Sequence, residues 1–302
     1  MAREHEEPAA SNVIAVENFR FDLLMPHIEC ASKIIKDYTA IFVFDDGRIG
    51  SGTFVSVRGF AGILTAHHVA EHLFEFKEFA LCVADYPHGL WVRSELLVHV
   101  PIGPVLKNSA PEDGPDLSLL IIRDRTLVEA IQSEKLFYAL DFVDLSFFRS
   151  PLSPKIWGVA GSPHDSFKRI EQDYQGGPLS KLLNFVGTGV FQYQTRQTDF
   201  DYIRLTVPSG EFEFPYHYEG MSGGGFWLIP MEIDPGGDVK TIGHRLPLLT
   251  GVEFHQSVRT NRERTLTGHG FASIYCRLMQ TLTRARGAQS HCPATYPARH
   301  RV

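Results

Sequence analysis

At 302 residues, 43% of them apolar and 21% charged, the chain can bury one large core or two modest ones. A formal net charge of −6, with no basic helix or Arg/Gly tract, gives no footing for nucleic acid. No apolar run approaches a membrane span, Met1–Glu7 lacks the apolar centre of a signal peptide, and Cys30, Cys82, Cys276 and Cys292 are scattered without a CxxC pair, so a cytoplasmic protein with reduced thiols is expected.

In chain order, residues 1–16 read as a loose, acidic start. Residues 17–36 carry Phe21, Leu24, Ile28, Ala31 and Ile35 at helical spacing, which predicts a helix. Tyr38 to Phe44 is an early strand. Gly50 to Val57 alternates as a half-buried strand does, Gly59 breaks it, and Gly62 to Thr65 begins the next. Ala66-His67-His68-Val69-Ala70 follows as a short turn at a strand end, a position from which a histidine can face a cleft. Asp113-Gly114-Pro115 makes a turn, and Asp116 leads the apolar run Leu117 to Ile122. Ile156 to Gly161 opens another strand. Pro163 to Asn184 reads as loop, and so does Pro230 to Pro247, with the turn Asp234-Pro235-Gly236-Gly237 inside it. Leu248 to His255 is a strand, and Phe271 to Arg286 a closing helix with Ile274, Leu278 and Leu282 on one side.

The densest chemical signal is Gly220-Met221-Ser222-Gly223-Gly224-Gly225 before the apolar run Phe226-Trp227-Leu228-Ile229. Glycines let the backbone take φ values that other residues resist. The N–H groups of Gly220 and Ser222 can then converge beside the serine hydroxyl, as an oxyanion hole requires. A serine needs an adjacent base to become a good nucleophile, and a histidine held by a partly buried acid supplies one. His68, Asp116 and Ser222 are the candidates. As structural alternatives, each is a turn or strand-end residue, and Asp116 follows a Gly-Pro turn where aspartate is common.

Taken together, Gly50-Ser51-Gly52-Thr53-Phe54 with Leu64-Thr65-Ala66-His67-His68-Val69, then Asp116-Leu117-Ser118-Leu119-Leu120, then Gly220 to Gly225 resemble the trypsin-like (chymotrypsin-fold) serine peptidases. They stand in that family's order of His, Asp and Ser. The bacterial heat-shock-type members, here without an appended peptide-binding domain, are the more similar ones. The likeness spans roughly residues 38–280. It implies a mainly β fold: two six-stranded antiparallel β-barrels, with a C-terminal helix and an N-terminal helix. By that reading residues 1–37 are an extension and residues 38–286 the peptidase domain. Barrel one runs from about 38 to 145, barrel two from about 155 to 265, and the closing helix from about 271 to 286. Residues 287–302 form a disordered tail. The spacing of 48 residues from His68 to Asp116 leaves room for one strand hairpin, and the 106 from Asp116 to Ser222 for the start of the second barrel.

Carried over, the resemblance makes Ser222 the nucleophile, His68 the general base and acid, and Asp116 the residue that orients it. Gly220 and Ser222 form the oxyanion hole, and His67 is a neighbour without a chemical role. The implied function is a serine endopeptidase acting on protein or peptide substrates through an acyl-enzyme, with no cofactor and no metal. Met221 stands where digestive members carry an aspartate that pairs with a newly cut amino terminus. That ion pair is not available here, so the hole is set by packing, by substrate or by a partner, and latency until such activation is an expectation. On the strand that lines the specificity pocket, Phe254 falls where relatives often have a Ser or Thr supporting the catalytic aspartate. The pocket draws on Tyr216, His217, His255 and Gln256, with no acid at its base, which suggests a shallow or apolar site.

Two competing readings remain. His68-Val69-Ala70-Glu71-His72 spells H-x-x-E-H, the inverted zinc-peptidase signature, with His68 and His72 as ligands. It requires a helix on both sides, whereas the residues before His68 read as a strand. The other is a catalytically idle binding module that retains the three residues.

Overall fold

In the computed structural model, the described residues are 21–83, 89–103, 115–142, 155–164, 185–195, 200–210, 214–233, 239–241 and 246–289. The fold is mainly β and consists of two antiparallel sheets with few helices.

The first sheet begins after helix α1 (Phe21–Tyr38). It contains β1 (Thr39–Val43), β2 (Ile49–Val57), β3 (Phe60–Thr65), β4 (Glu78–Cys82), β5 (Gly89–Arg93), β6 (Leu97–Gly103) and β7 (Leu117–Ile122). Their order is β5-β4-β1-β2-β3-β7-β6, and the two-residue strand β8 (Tyr138–Ala139) pairs with β2 in parallel. Helix α2 (His67–Leu73) leaves β3 after one residue, and α3 (Arg125–Gln132) follows β7. Asp124 caps α3 by accepting the Thr126 N–H.

The second sheet contains β9 (Lys155–Gly161), β10 (Phe185–Thr195), β11 (Asp201–Pro208), β12 (Gly225–Ile233), β13 (Val239–Thr241), β14 (Leu248–Gln256) and β15 (Glu263–His269). Pairing runs β12-β14-β15-β11-β10-β9, and β9 pairs again with β12, so six strands close on themselves. β13 extends only β12. The chain ends the described region in a π-helical turn, Ser273–Arg277, and helix α4 (Leu278–Gln289).

Some local expectations change. The segment Pro230 to Pro247, expected as loop, instead carries the end of β12 and all of β13, which pair antiparallel with Met231 opposite Thr241 and Ile233 opposite Val239. The His67–His68 segment is the first turn of a short helix rather than an open turn. Among the described residues, three strands, β4 to β6, lie between His68 and Asp116 where one hairpin was expected. Most of Pro163 to Asn184, residue Asp113, the start at 1–16 and the tail from 290 fall outside the described residues.

One apolar cluster spans both sheets. Phe42, Phe54, Leu64 and Leu119 of the first sheet belong to it with Trp227, Leu249 and Val252 of the second, and with Ile35 and Tyr38 of α1. Trp227 lies at the seam, its ring stacked on Tyr38 with centroids 5.8 Å apart and met edge-on by Tyr138 at 5.4 Å. A second cluster fills the closed barrel with Val159, Ile203, Leu205, Tyr218, Met221, Phe226 and Leu266. The two sheets therefore meet along a packed line, with α2 and the start of β7 on one side and the glycine turn before β12 on the other.

Candidate active site

β3 ends at Thr65 and the chain turns at once into α2, which places His68 in the helix's first turn, half exposed. Asp116 precedes β7 and is 9% exposed. Its carboxylate grips His68 at two points: Oδ2 lies 2.6 Å from Nδ1, and Oδ1 accepts the His68 backbone N–H at 2.9 Å. Burial works to raise the Asp116 pKa, but the hydrogen bonds and charge of His68 outweigh it, leaving the carboxyl below its ordinary value. With Nδ1–H donated to Asp116, Nε2 of His68 is the basic nitrogen.

Behind Asp116 stands a residue that the sequence did not flag. His269, at the end of β15, accepts the Asp116 backbone N–H through Nε2 at 2.8 Å. Burial among Phe200, Tyr202 and Phe254 pushes its pKa down to about 4, so it is a neutral acceptor at physiological pH. No sequence signal identifies it, because its partner is a main-chain group 153 residues away.

Ser222 lies on a turn fixed by its carbonyls. The Glu219 oxygen accepts from His164 N at 2.6 Å, and the Met221 oxygen from Gly224 N at 2.7 Å. Across a trans peptide the N–H points opposite to the C=O, so these bonds orient the N–H groups of Gly220 and Ser222 away from both anchors. Gly220 has φ +88° and Gly223 φ +90°, and a Cβ at either would collide with the backbone oxygen of Ser162 or Ser51. Ser51 of β2 stitches the turn to the first sheet. Its hydroxyl donates to Gly220 O at 2.6 Å and accepts from Ser162 N at 2.9 Å, while its own N–H donates to Ser222 O at 3.0 Å. Thr65 Oγ1 in turn holds Ser51 O at 2.7 Å. Met221 is fully buried in the closed barrel's core and its N–H donates to Tyr218 O at 3.0 Å. Packing of Met221 and these hydrogen bonds anchor this turn.

The side chain beside Asp116 on β14 is Glu253, not Phe254. Phe254 packs instead on the His269 ring, centroids 4.9 Å apart. The cause is a β-bulge between Glu253 and His255 against β15, and an inserted residue exchanges the faces of a strand. Burial and the Asp116 charge push the Glu253 pKa up, against a smaller downward pull from the Ser222 hydroxyl. Its backbone pairs with the turn in both directions, Gly223 N to Glu253 O and Glu253 N to Gly224 O, each at 2.8 Å.

The expected pocket residues lie on two neighbouring segments. Gln256 of β14 accepts the Tyr218 N–H at 2.9 Å, tying the strand to the loop that carries Tyr216 and His217. That loop is also held by Arg264, whose guanidinium donates to Tyr216 O at 2.8 Å and Ser257 O at 2.7 Å and lies 3.0 Å from His217 Nδ1. Tyr216 is exposed under the Arg259 guanidinium, and His255 is half-buried.

Of the other histidines, His67 is buried. It shares the Ser118 hydroxyl with His99, each at 2.8 Å, and lies 3.3 Å from Glu71. His72 faces Glu75 at 2.7 Å and Asp46 at 3.5 Å, so the two histidines of the H-x-x-E-H run address different carboxylates. Among the described residues, no three His, Cys, Asp or Glu side chains converge as a ligand set. Cys30, Cys82 and Cys276 are free thiols.

No protein-family model matches the sequence, and no curated protein matches it significantly. Among solved structures, the chain is similar to a thermostable serine protease AL20 from an extremophilic microorganism, at 14% identity and TM-score 0.43, over 82% of this chain and 94% of that one. It is also similar to the Drosophila Grass clip serine protease of the Toll pathway, at 15% identity and TM-score 0.48, over 85% and 71%. A third similarity is to the HtrA-type protease AlgW with a tripeptide, at 15% identity and TM-score 0.41, over 86% and 64%. Similarities at this distance assign neither an activity nor a site.

Proposed function

We propose that the chain is a serine endopeptidase of the trypsin-like family, nearest its heat-shock-type members, that hydrolyses protein or peptide bonds with Ser222, His68 and Asp116. The observation that carries this reading is the double grip of Asp116 on His68, at 2.6 and 2.9 Å, across a seam from a serine on a positive-φ glycine turn. Few structural roles need a half-exposed histidine clasped at both its ring and its backbone by a nearly buried acid.

In this mechanism Ser222 Oγ attacks the substrate carbonyl while His68 Nε2 takes its proton, and Asp116 stabilises the imidazolium through Nδ1–H. The negative charge that forms on the carbonyl oxygen is received by the N–H groups of Gly220 and Ser222. His68 then protonates the leaving amine, and a water activated by His68 releases the acyl group and regenerates Ser222. Tyr216, His217, His255 and Gln256 border the substrate. Restraint by a partner or by substrate remains part of the proposal, although the buried Met221 supports a turn that packing already holds.

The test is labelling of the purified protein by a fluorophosphonate probe, with Ser222→Ala alongside and a chelator control. The expected result is labelling that disappears in the variant and ignores the chelator. Labelling that survives Ser222→Ala, or chelator-sensitive proteolysis without labelling, rejects the proposal. The latter outcome favours a zinc reading through His68 and His72.

A further inference from the structure

Glu253 is a carboxyl sealed at the seam of the two sheets. It is 1% exposed, and its backbone is bonded both ways to the turn that carries Ser222, whose hydroxyl pulls on the buried carboxyl. Its Oε2 has no hydrogen-bond partner among the described residues. A carboxylate placed this way would leave a buried charge only partly satisfied, next to the negative charge of Asp116. A carboxylic acid avoids both costs.

The hydrogen-bond inventory gives this choice a consequence. A serine hydroxyl has one proton to give and two lone pairs to receive with, whereas a carboxylate can only accept. When Glu253 is ionised, it takes the Ser222 proton as a hydrogen-bond donor and turns it away from His68. When Glu253 is protonated it can donate to Ser222 Oγ, and the serine proton is then free to point at His68 Nε2. We propose that Glu253 is a positioning residue for Ser222 that supports catalysis only as the un-ionised acid and shuts the site down when it ionises. The proposal rests on the assignment of Ser222, His68 and Asp116 as the catalytic group.

Among the described residues, the ionisable group whose charge acts on Glu253 is Asp116, at the mouth of β7. His68 of α2 and His269 of β15 in turn bond Asp116, and the His255 N–H on Glu253's own strand also pulls on the carboxyl. His269 is neutral, so the nearest fixed charge is that of Asp116. Burial first, and then the Asp116 charge, push the Glu253 pKa up to about 8, against smaller opposing pulls from the Ser222 hydroxyl and the His255 N–H.

The experiment measures the fluorophosphonate labelling rate of Ser222 against pH in the wild type and in Glu253→Gln, each normalised to its own rate at neutral pH. Glutamine matches the protonated acid in shape and can donate, but cannot ionise. The wild type is expected to lose ~10-fold or more of its rate within one to two pH units above about 8, as a single essential acid predicts. The variant is expected to show no alkaline fall. An alkaline fall that persists in Glu253→Gln overturns the proposal, and so does a wild type without one. A second readout does not depend on activity. Infrared spectra of the unlabelled wild type should show a protonated carboxyl at neutral pH that titrates near 8, and the band should be missing in Glu253→Gln. If that band is absent from the wild type, the proposal falls whether or not Ser222 labels. This readout also keeps the proposal testable if the variant does not fold. If the band is present but Ser222 labels at no pH, the hydrolase reading fails and the positioning role falls with it.

Discussion

Asp116 holds both the ring and the backbone of His68, so its charge and its shape can be separated by substitution. Asp116→Asn keeps the shape but can leave the imidazole in the wrong tautomer. A loss of about 10⁴-fold in turnover is expected, read as kcat with Km little changed. Two buried ionisable groups, Glu253 and His269, make a second prediction, on stability. Glu253 titrates at 4.5 when unfolded and about 8 in the fold, so between these values the native state binds the extra proton and stability falls as pH rises. His269 works the other way: its ordinary value is 6.5 and its folded value about 4, so below 6.5 the unfolded chain takes a proton that the fold refuses. The two slopes oppose each other from 4.5 to 6.5, and Glu253 acts alone from 6.5 to about 8. Melting temperatures of Glu253→Gln should therefore stay flatter than the wild type across that upper window. The full Glu253 effect is at most ~5 kcal/mol, at about 1.4 kcal/mol per pKa unit. The pairing of His68 with Asp116 could be suspected because strand ends and turns mark both residues in the letters. Glu253 was misread as Phe254 because a one-residue bulge leaves no mark of its own.

Among the elements, β2 does more for the site than its position in a sheet suggests. Ser51 joins it to the carbonyl of Gly220, to Ser162 N and to the backbone of Ser222. Ser51→Ala strands the buried Ser162 N–H and frees the Gly220 peptide. A stability loss of about 1–3 kcal/mol is expected by denaturant titration. Labelling of Ser222 should slow by about tenfold or more, because oxyanion donors lose effect when displaced. Gly50–Val57, by its alternation, and Leu117–Ile122, as an apolar run behind a turn, could be read from sequence alone. The β12–β13 hairpin could not, since Pro230, Pro235 and paired glycines carry turn signals that outweigh a three-residue strand. Helix α2 was missed because seven residues beginning with two histidines give too little periodicity to distinguish a helix from a turn.

At the scale of the whole molecule, Trp227 fastens α1, the first sheet and the closed barrel at one point. Trp227→Ala should cost about 3–5 kcal/mol by urea denaturation, as large buried aromatics do. Trp227→Phe should cost clearly less, because the indole N–H has no partner among the described residues and its loss removes an unsatisfied donor. The two-sheet plan came from the family resemblance that three short segments carry, while the closure of β9 onto β12 needed coordinates. That closure wraps six strands around a core that includes Met221, the immediate neighbour of Ser222. Assembly of the Ser222 turn and completion of the barrel are then expected to be a single folding event. On heating, labelling at Ser222 should vanish at the temperature at which the barrel melts, with no cooler state that is folded yet silent.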